Sequence, residues 1–358
     1  NCTLNLMEKY YTRACNFYYG NFSKEQIKKK NSLPLNGNKY ISFDHIEIIT
    51  RKSKKKIHIK KINYLPKKVK KKVLIDLKSV IKKKNFKRLK FNEMPLLMGI
   101  LNATPDSFSD GGKYLNNISA KDQINKLLRD GAKIIDIGGE STRPGAKDIN
   151  YKIEWNRIKS KLRILKNKKC VISLDTRKSK IIQKSIKYNV GIINDVSGLR
   201  YDKDTVNILQ KNKIPFVLHH MEGNPKSMQN NPRYENVLLD VYDFFEERIK
   251  FVRSNKIKHN NIILDPGIGF GKNLKHNVIL MSKISLFHSL GLPIMVGISK
   301  KRFIKDISKN NDSKDRIGGT LSSSIYCSSQ GVQIIRVHDV NEINQGLKVF
   351  DKLNYINE

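Results

Sequence analysis

The chain has 358 residues, 39% hydrophobic and 28% charged, which supports a folded protein with one large domain plus an appendage and excludes a disordered polymer. Its formal net charge is +38 and its pI is near 10.0, so nucleic-acid binding competes with lysine-biased composition; the excess is Lys rather than Arg, the better phosphate fork, and lies in runs typical of solvated faces, which favours composition. Apolar runs fall short of the roughly 20 residues of a membrane span, and Asn1 to Gly20 holds no apolar signal core, so a cytoplasmic protein without membrane contact is expected.

In chain order, Lys39 to Thr50 reads as a partly alternating strand and Lys54 to Lys61 as a second one, broken at Leu65-Pro66. Lys67 to Lys83 places Val69, Val73, Leu77 and Val80 at helical spacing. Between Arg51 and Lys90 Asp76 is the only acid. Residues 1–93 are therefore expected to form a small basic α+β extension. It lacks an RNA-recognition motif and regular aromatic interleaving, so nucleic acid is not the expected partner. Cys2, Cys15, Cys170 and Cys327 form no C-x-x-C pair and no metal-ligand spacing with His, which predicts free thiols, no disulfide framework and no zinc.

From Pro95 the rhythm changes. Short apolar runs occur at Leu96–Leu101, Ile134–Ile137, Val171–Leu174, Gly191–Asn194, Phe216–His219, Ile262–Asp265, Ile294–Gly297 and Val332–Val337. Helix-like stretches separate them, among them Ala120 to Asp130, Lys178 to Tyr188 and Val237 to Ser254. Continuous apolar strands alternating with helices imply a parallel sheet covered by helices. Eight such units over residues 94–358 predict an α/β fold, a (β/α)8 TIM barrel. A doubly wound open sheet is the alternative, weakened by the absence of a G-x-G-x-x-G turn.

Barrels place chemistry at the C-terminal ends of their strands. The runs here lead into Asn102, then Glu140 with Thr142 and Arg143, then Asp175, Asn194, His220, Asp265, Lys301, and Arg336 with His338. Capping or turn formation explains any one of these; it explains most of eight in register poorly. Asn102, Arg143, Arg336 and His338 suit an anion, and Asp175, Asn194 and Asp265 suit the N–H groups of a polar heterocycle. The run Asp265-Pro-Gly-Ile-Gly-Phe-Gly-Lys272 is not a phosphate loop, because Asn273 stands where Ser or Thr should follow the Lys. It reads instead as a loop allowing close backbone approach to a ligand. Gly138 to Gly145 reads either as a tight corner or as a mobile loop carrying Thr142 and Arg143.

Two long stretches, Met98-Gly-Ile-Leu-Asn-Ala-Thr-Pro-Asp-Ser-Phe-Ser-Asp-Gly-Gly112 and Gly131-Ala-Lys-Ile-Ile-Asp-Ile-Gly-Gly-Glu-Ser-Thr-Arg-Pro-Gly145, resemble the two signatures of the dihydropteroate synthase family. Leu174-Asp-Thr176, Ile193-Asn-Asp195, His220-Met-Glu-Gly-Asn-Pro225, Leu264-Asp-Pro-Gly267, Ser299-Lys-Lys301 and Ile335-Arg-Val-His-Asp339 match in order, and the resemblance spans roughly residues 95 to 350. It implies a folate-pathway transferase that joins 6-hydroxymethyl-7,8-dihydropterin pyrophosphate to p-aminobenzoate. The implied pterin residues are Asp175, Asn194, Asp265 and Lys301, with Met221 nearby. Asn102, Thr142, Arg143, Arg336 and His338 would hold pyrophosphate, with Mg2+ at Asn102. Phe108, Thr142, Pro144, Phe270, Lys301 and Arg302 would form the p-aminobenzoate site. Asp106 and Asp110 lie on the first closing loop. The resemblance also implies a homodimer, sulfonamide sensitivity and a dissociative mechanism without a covalent nucleophile. His219 departs from the pattern, standing where a hydrophobic residue is expected. A methyltetrahydrofolate-type methyltransferase is the alternative within the same pterin-binding barrel; Arg143 and Arg336-Val-His338 argue against it.

Overall fold

The computed structural model describes residues 8–84, 86, 89–91, 95–103, 117–141, 146, 148–223, 232–309 and 312–354. The N-terminal part contains β1 (Tyr11–Tyr19), α1 (Gly20–Lys28), β2 (Leu33–Leu35), β3 (Asn38–Ile49), β4 (Lys54–His58) and α2 (Lys67–Ile81). β3 pairs antiparallel with β1, β2 and β4. Of these elements the sequence pattern anticipates β3, β4 and α2, while β1, β2 and α1 lie outside its expectations. Ala14, Leu35, Phe43, Ile46, Val73 and Val80 form this part's own apolar core.

Eight parallel strands follow: β5 (Leu96–Asn102), β6 (Ile134–Gly138), β7 (Val171–Asp175), β8 (Ile192–Asp195), β9 (Phe216–His219), β10 (Ile262–Asp265), β11 (Met295–Gly297) and β12 (Ile334–Val337). Their order is β10-β9-β8-β7-β6-β5-β12-β11. A parallel bridge from Leu264 to Ile294 joins the two ends of that order, and the Leu264 N–H donates to the Pro293 carbonyl at 2.9 Å. The sheet is therefore a closed barrel, as the strand count predicts and unlike the open doubly wound alternative. Helices α3 (Asn117–Arg129), α4 (Tyr151–Lys166), α5 (Ser179–Ser185), α6 (Asp204–Asn212), α7 (Val237–Ser254), α8 (Leu274–Ser282), α9 (Arg302–Ser308), α10 (Ile317–Ser329) and α11 (Val340–Asn354) follow the strands. Local signals fix their starts. Asn236 caps α7 by accepting from the Leu239 N–H, with Asp240 in its first turn and Arg253 in its last. Asn150 caps α4 in the same way through the Lys152 N–H. No helix among the described residues is long and apolar enough to cross a membrane.

The two-residue period of a strand divides the barrel into layers. Outward residues such as Ile135, Leu174, Ile193, Leu218 and Leu264 pack under the helices. Inward residues Met98, Ile134, Ile192, Val217, Ile263, Met295 and Ile334 form a second apolar cluster inside the barrel. Phe86, Leu89 and Phe91, from the segment after α2, join that inner cluster and plug its lower end. Two residues further along the same strands come Ile100, Asp136, Asn194, His219, Asp265, Gly297 and Arg336. The inner face thus changes from aliphatic to polar in one strand period.

The N-terminal sheet is fastened to the barrel's flank. Asp243 on α7 accepts from Lys9 Nζ at 2.6 Å, from the Tyr11 hydroxyl at 2.9 Å and from Arg51 Nη2 at 2.8 Å. The Tyr11 ring meets Tyr242 edge-on at 5.1 Å, and Ser285 Oγ donates to the Ala14 carbonyl at 2.8 Å. Replacing Phe91 by Ala opens a cavity beneath the inner cluster. The expected cost is about 3 kcal/mol of stability in urea unfolding; an unchanged midpoint would remove the plug from this account.

Candidate active site

Burying a charge is costly unless it is paired and hydrogen-bonded, so the polar inner layer must be organised around compensation. Arg336 of β12 supplies it. Its Nε donates to Asp136 Oδ2 at 2.6 Å and its Nη2 to Asp175 Oδ2 at 3.0 Å. Asp136 also accepts from Asn194 Nδ2 at 3.0 Å and, through Oδ1, from Ser173 Oγ at 2.6 Å. Burial drives the Asp175 carboxyl upward, the neighbouring Asp136 adds to the shift, and Arg336 opposes it. The guanidinium itself is held charged: its pKa is raised, burial working against the shift and Asp136 and Asp175 for it.

Above this network lies a cavity lined by Asp175, Asn194, Asp265, Lys301, Arg336 and Phe270, with Val196, His219, Ile268 and Gly297 completing the wall. Asp175 Oδ1 and Asn194 Oδ1 are buried in it without a protein donor. Asp265 Oδ1 accepts the Gly267 N–H at 2.8 Å. Burial raises the Asp265 carboxyl to about 6, against the Gly267 N–H and the charge of Lys301. Burial likewise lowers the Lys301 amine to about 7, against the attraction of Asp265. The Lys301 ammonium lies over the Phe270 ring, 4.0 Å from its centroid. The arrangement offers hydrogen-bond acceptors at its base, an aromatic face and a cation at its mouth. It suits a flat ring rich in N–H donors.

The loop after β10 makes this close approach feasible. Gly267 has φ +67, and a Cβ there would fall 1.9 Å from the His220 carbonyl oxygen; Gly269 has φ +81, with Lys301 Cδ 3.0 Å from the equivalent point. Lys272, which ends the glycine run, faces no solvent. Its ammonium donates to the carbonyls of Phe270 at 2.9 Å and Gly267 at 3.0 Å and lies 2.9 Å from His220 Nδ1. This lysine therefore laces the loop that carries Phe270 to the end of β9. Burial lowers its amine to about 7. Lys272→Met leaves those acceptors without a donor, and a stability loss of about 2 kcal/mol in urea unfolding is expected; a wild-type midpoint would contradict the lacing role.

The residues singled out from sequence divide into four groups. Asp175, Asn194, Asp265, Phe270, Lys301 and Arg336 line one cavity. Asn102 ends β5 at the barrel mouth, and His338 lies just past β12 with Nδ1 3.0 Å from Ser299 Oγ. Met221 and Arg302 are not in the cavity wall: Met221 is buried, its carbonyl accepting from Arg200 at 2.6 Å, and Arg302 opens α9 with an exposed side chain. Asp106, Phe108, Asp110, Thr142, Arg143 and Pro144 lie outside the described residues. Asp136, His219 and Lys272 are the residues that the strand-end reading passes over. Asp136 had a signal, being the one charge inside the run Ile-Ile-Asp-Ile.

A closed parallel barrel with a buried, acceptor-rich cavity at the strand ends defines the class, and the profile of the pterin binding enzyme family matches residues 98–338. The chain belongs to this family, on its dihydropteroate synthase branch. It is 40% identical to the dihydropteroate synthase of Escherichia coli K12 over 258 residues, 72% of this chain and 91% of that one. The dihydropteroate synthase of Synechocystis is 37% identical over 72% of this chain and 89% of its own length. Among solved structures, Yersinia pestis dihydropteroate synthase in a sulfonamide drug complex superimposes with a TM-score of 0.71 at 36% identity, covering 75% of this chain and 97% of that one. The Xanthomonas albilineans enzyme with 4-aminobenzoic acid gives 0.69 at 32% identity, covering 75% and 96%. These relatives support the synthase and not the methyltransferase alternative.

Proposed function

We infer that this barrel catalyses the dihydropteroate synthase reaction, joining 6-hydroxymethyl-7,8-dihydropterin pyrophosphate to p-aminobenzoate with release of pyrophosphate. The observation that carries the substrate reading is the pair of donorless buried acceptors, Asp175 Oδ1 and Asn194 Oδ1, in the cavity that Asp265 shares. A pterin presents ring N–H donors, which answer those acceptors. Lys301 and Phe270 lie above it, where an aromatic amine would stack.

In the reaction the C–O bond to pyrophosphate breaks first, the leaving group taking the electron pair. The aniline nitrogen then forms the C–N bond and loses a proton. The protein must place positive charge where the leaving dianion develops. Arg336 offers this through Nη1, since Nε and Nη2 are engaged by Asp136 and Asp175. Asn102, Arg143 and His338 complete the proposed anion site, with Thr142. Phe108, Pro144 and Arg302 join Thr142, Phe270 and Lys301 in the proposed p-aminobenzoate site. The loop bearing Asp106 and Asp110 would exclude water from the pterin cation. Among the described residues no group of three or more His, Cys, Asp or Glu side chains is placed to hold a metal. Mg2+ keeps most of its waters and takes phosphate oxygens, so one amide oxygen at a strand end together with the bound pyrophosphate would hold it. The Asn102 amide oxygen would be its protein ligand, and the ion would neutralise charge on the leaving group.

Purified protein with Mg2+ should release pyrophosphate from the pterin substrate only when p-aminobenzoate is present. Arg336→Ala should lower kcat/KM about 100-fold or more. Pterin binding without turnover in the wild type would instead point to a catalytically retired barrel. Acidity gives a second check. Asp265 accepts donors when ionised, and burial holds its carboxyl up at about 6; pterin affinity should therefore weaken as the pH falls through 6. Asp265→Asn should flatten that limb, and an unaltered acid limb in this variant would assign it to another group.

A further inference from the structure

His219 closes β9 inside the cavity, at a position where the sequence pattern expects an apolar residue. An imidazole there needs a reason. Its ring is buried and meets Phe270 edge-on at 4.7 Å. Nδ1 lies 3.1 Å from the Val196 carbonyl oxygen. A carbonyl oxygen only accepts, so Nδ1 carries the ring proton. Burial, with Lys272 and Lys301 adding to it and the Val196 carbonyl opposing it, lowers the pKa well below its ordinary value, which favours the neutral ring. A neutral ring protonated at Nδ1 presents a bare lone pair at Nε2. That atom stands 4.0 Å from Asp265 Oδ2, and no hydrogen bond among the described residues engages it.

Two acceptors 4.0 Å apart on residues of the cavity wall, with no hydrogen bond between them, leave room for a donor from a ligand. A purely structural side chain would fill this volume better as Met or Leu, which carry no lone pair to satisfy. The spacing suits a single amino group: a nitrogen about 2.9 Å from each acceptor spans them with its two N–H bonds. We propose that His219 Nε2 and Asp265 Oδ2 together grip the exocyclic amino group of the bound pterin, making His219 a specificity-determining residue that selects an amino over an oxo substituent. An oxo group would set a third acceptor against two and be rejected. The proposal rests on the pterin reading of the cavity and adds to it a contact that discriminates between ring systems.

The test compares two ligands on each protein by isothermal calorimetry: 6-hydroxymethylpterin, and the corresponding lumazine with oxo in place of amino. Wild type is expected to bind the pterin at least tenfold more tightly. His219→Met, which keeps the volume and removes the acceptor, should lose about tenfold in pterin affinity with little change for the lumazine, so the preference shrinks. His219→Gln, whose amide oxygen is an acceptor, should restore part of the preference, and it carries the same comparison if the Met variant does not fold. An equal loss for both ligands would reduce His219 to a wall residue and overturn the proposal. A wild-type protein that binds neither ligand would remove the pterin reading itself, a result distinct from equal loss in the variants.

Discussion

Arg336 stands between Asp136 and Asp175 inside a closed barrel, and most of the site is arranged by that contact. Three ionisable groups in contact inside the barrel are tolerable only because a planar cation forks toward two carboxylates. Asp136 then has a second oxygen for Ser173 and shares its first with Asn194. Asn194 and Asp175 are thereby turned so that one oxygen of each is left over. The acceptors offered to a ligand are what remains after the protein has satisfied its own charges.

Lys272 and Lys301 show how neighbours divide labour between chemically identical groups. Burial lowers both amines to about 7. Lys272 is surrounded by backbone carbonyls and a ring nitrogen of His220, so its donors are spent on holding a loop in place. Lys301 has an aromatic face and the pull of Asp265, and it lines the cavity. A glycine-rich run ending in lysine resembles a phosphate loop in writing, yet here the lysine turns back on its own loop.

The barrel was legible in sequence because parallel strands buried on both faces are short unbroken apolar runs. All eight runs fall within a residue or two of the observed strands. The N-terminal sheet was only half legible. β1 mixes Thr12, Arg13 and Asn16 among its aromatics, with Asn16 at φ +63, and β2 is three residues around a proline. These strands depend on pairing with β3 rather than on a pattern of their own. In the site, looking at strand ends singled out Asp175, Asn194 and Asp265 but passed over Asp136, which stands two residues before the end of β6. It also took His220 as the end of β9, whereas the residue facing the cavity is its neighbour His219; His220 packs its ring against Phe244 at 4.8 Å. One residue of register separates the inside of the barrel from the outside.

That register also governs which changes the chain can absorb. A one-residue insertion in any barrel strand would swing its polar residue into the helix layer and bring an aliphatic side chain into the cavity, so length variation is pushed into the loops. Isoleucine occupies inward positions of the barrel's inner cluster, as at Ile134, Ile192, Ile263 and Ile334, and lysine lies on outward faces such as those of α2 and α5. An excess of 38 positive charges can thus be carried as a coat, apart from the interior chemistry that the alternation beneath it encloses.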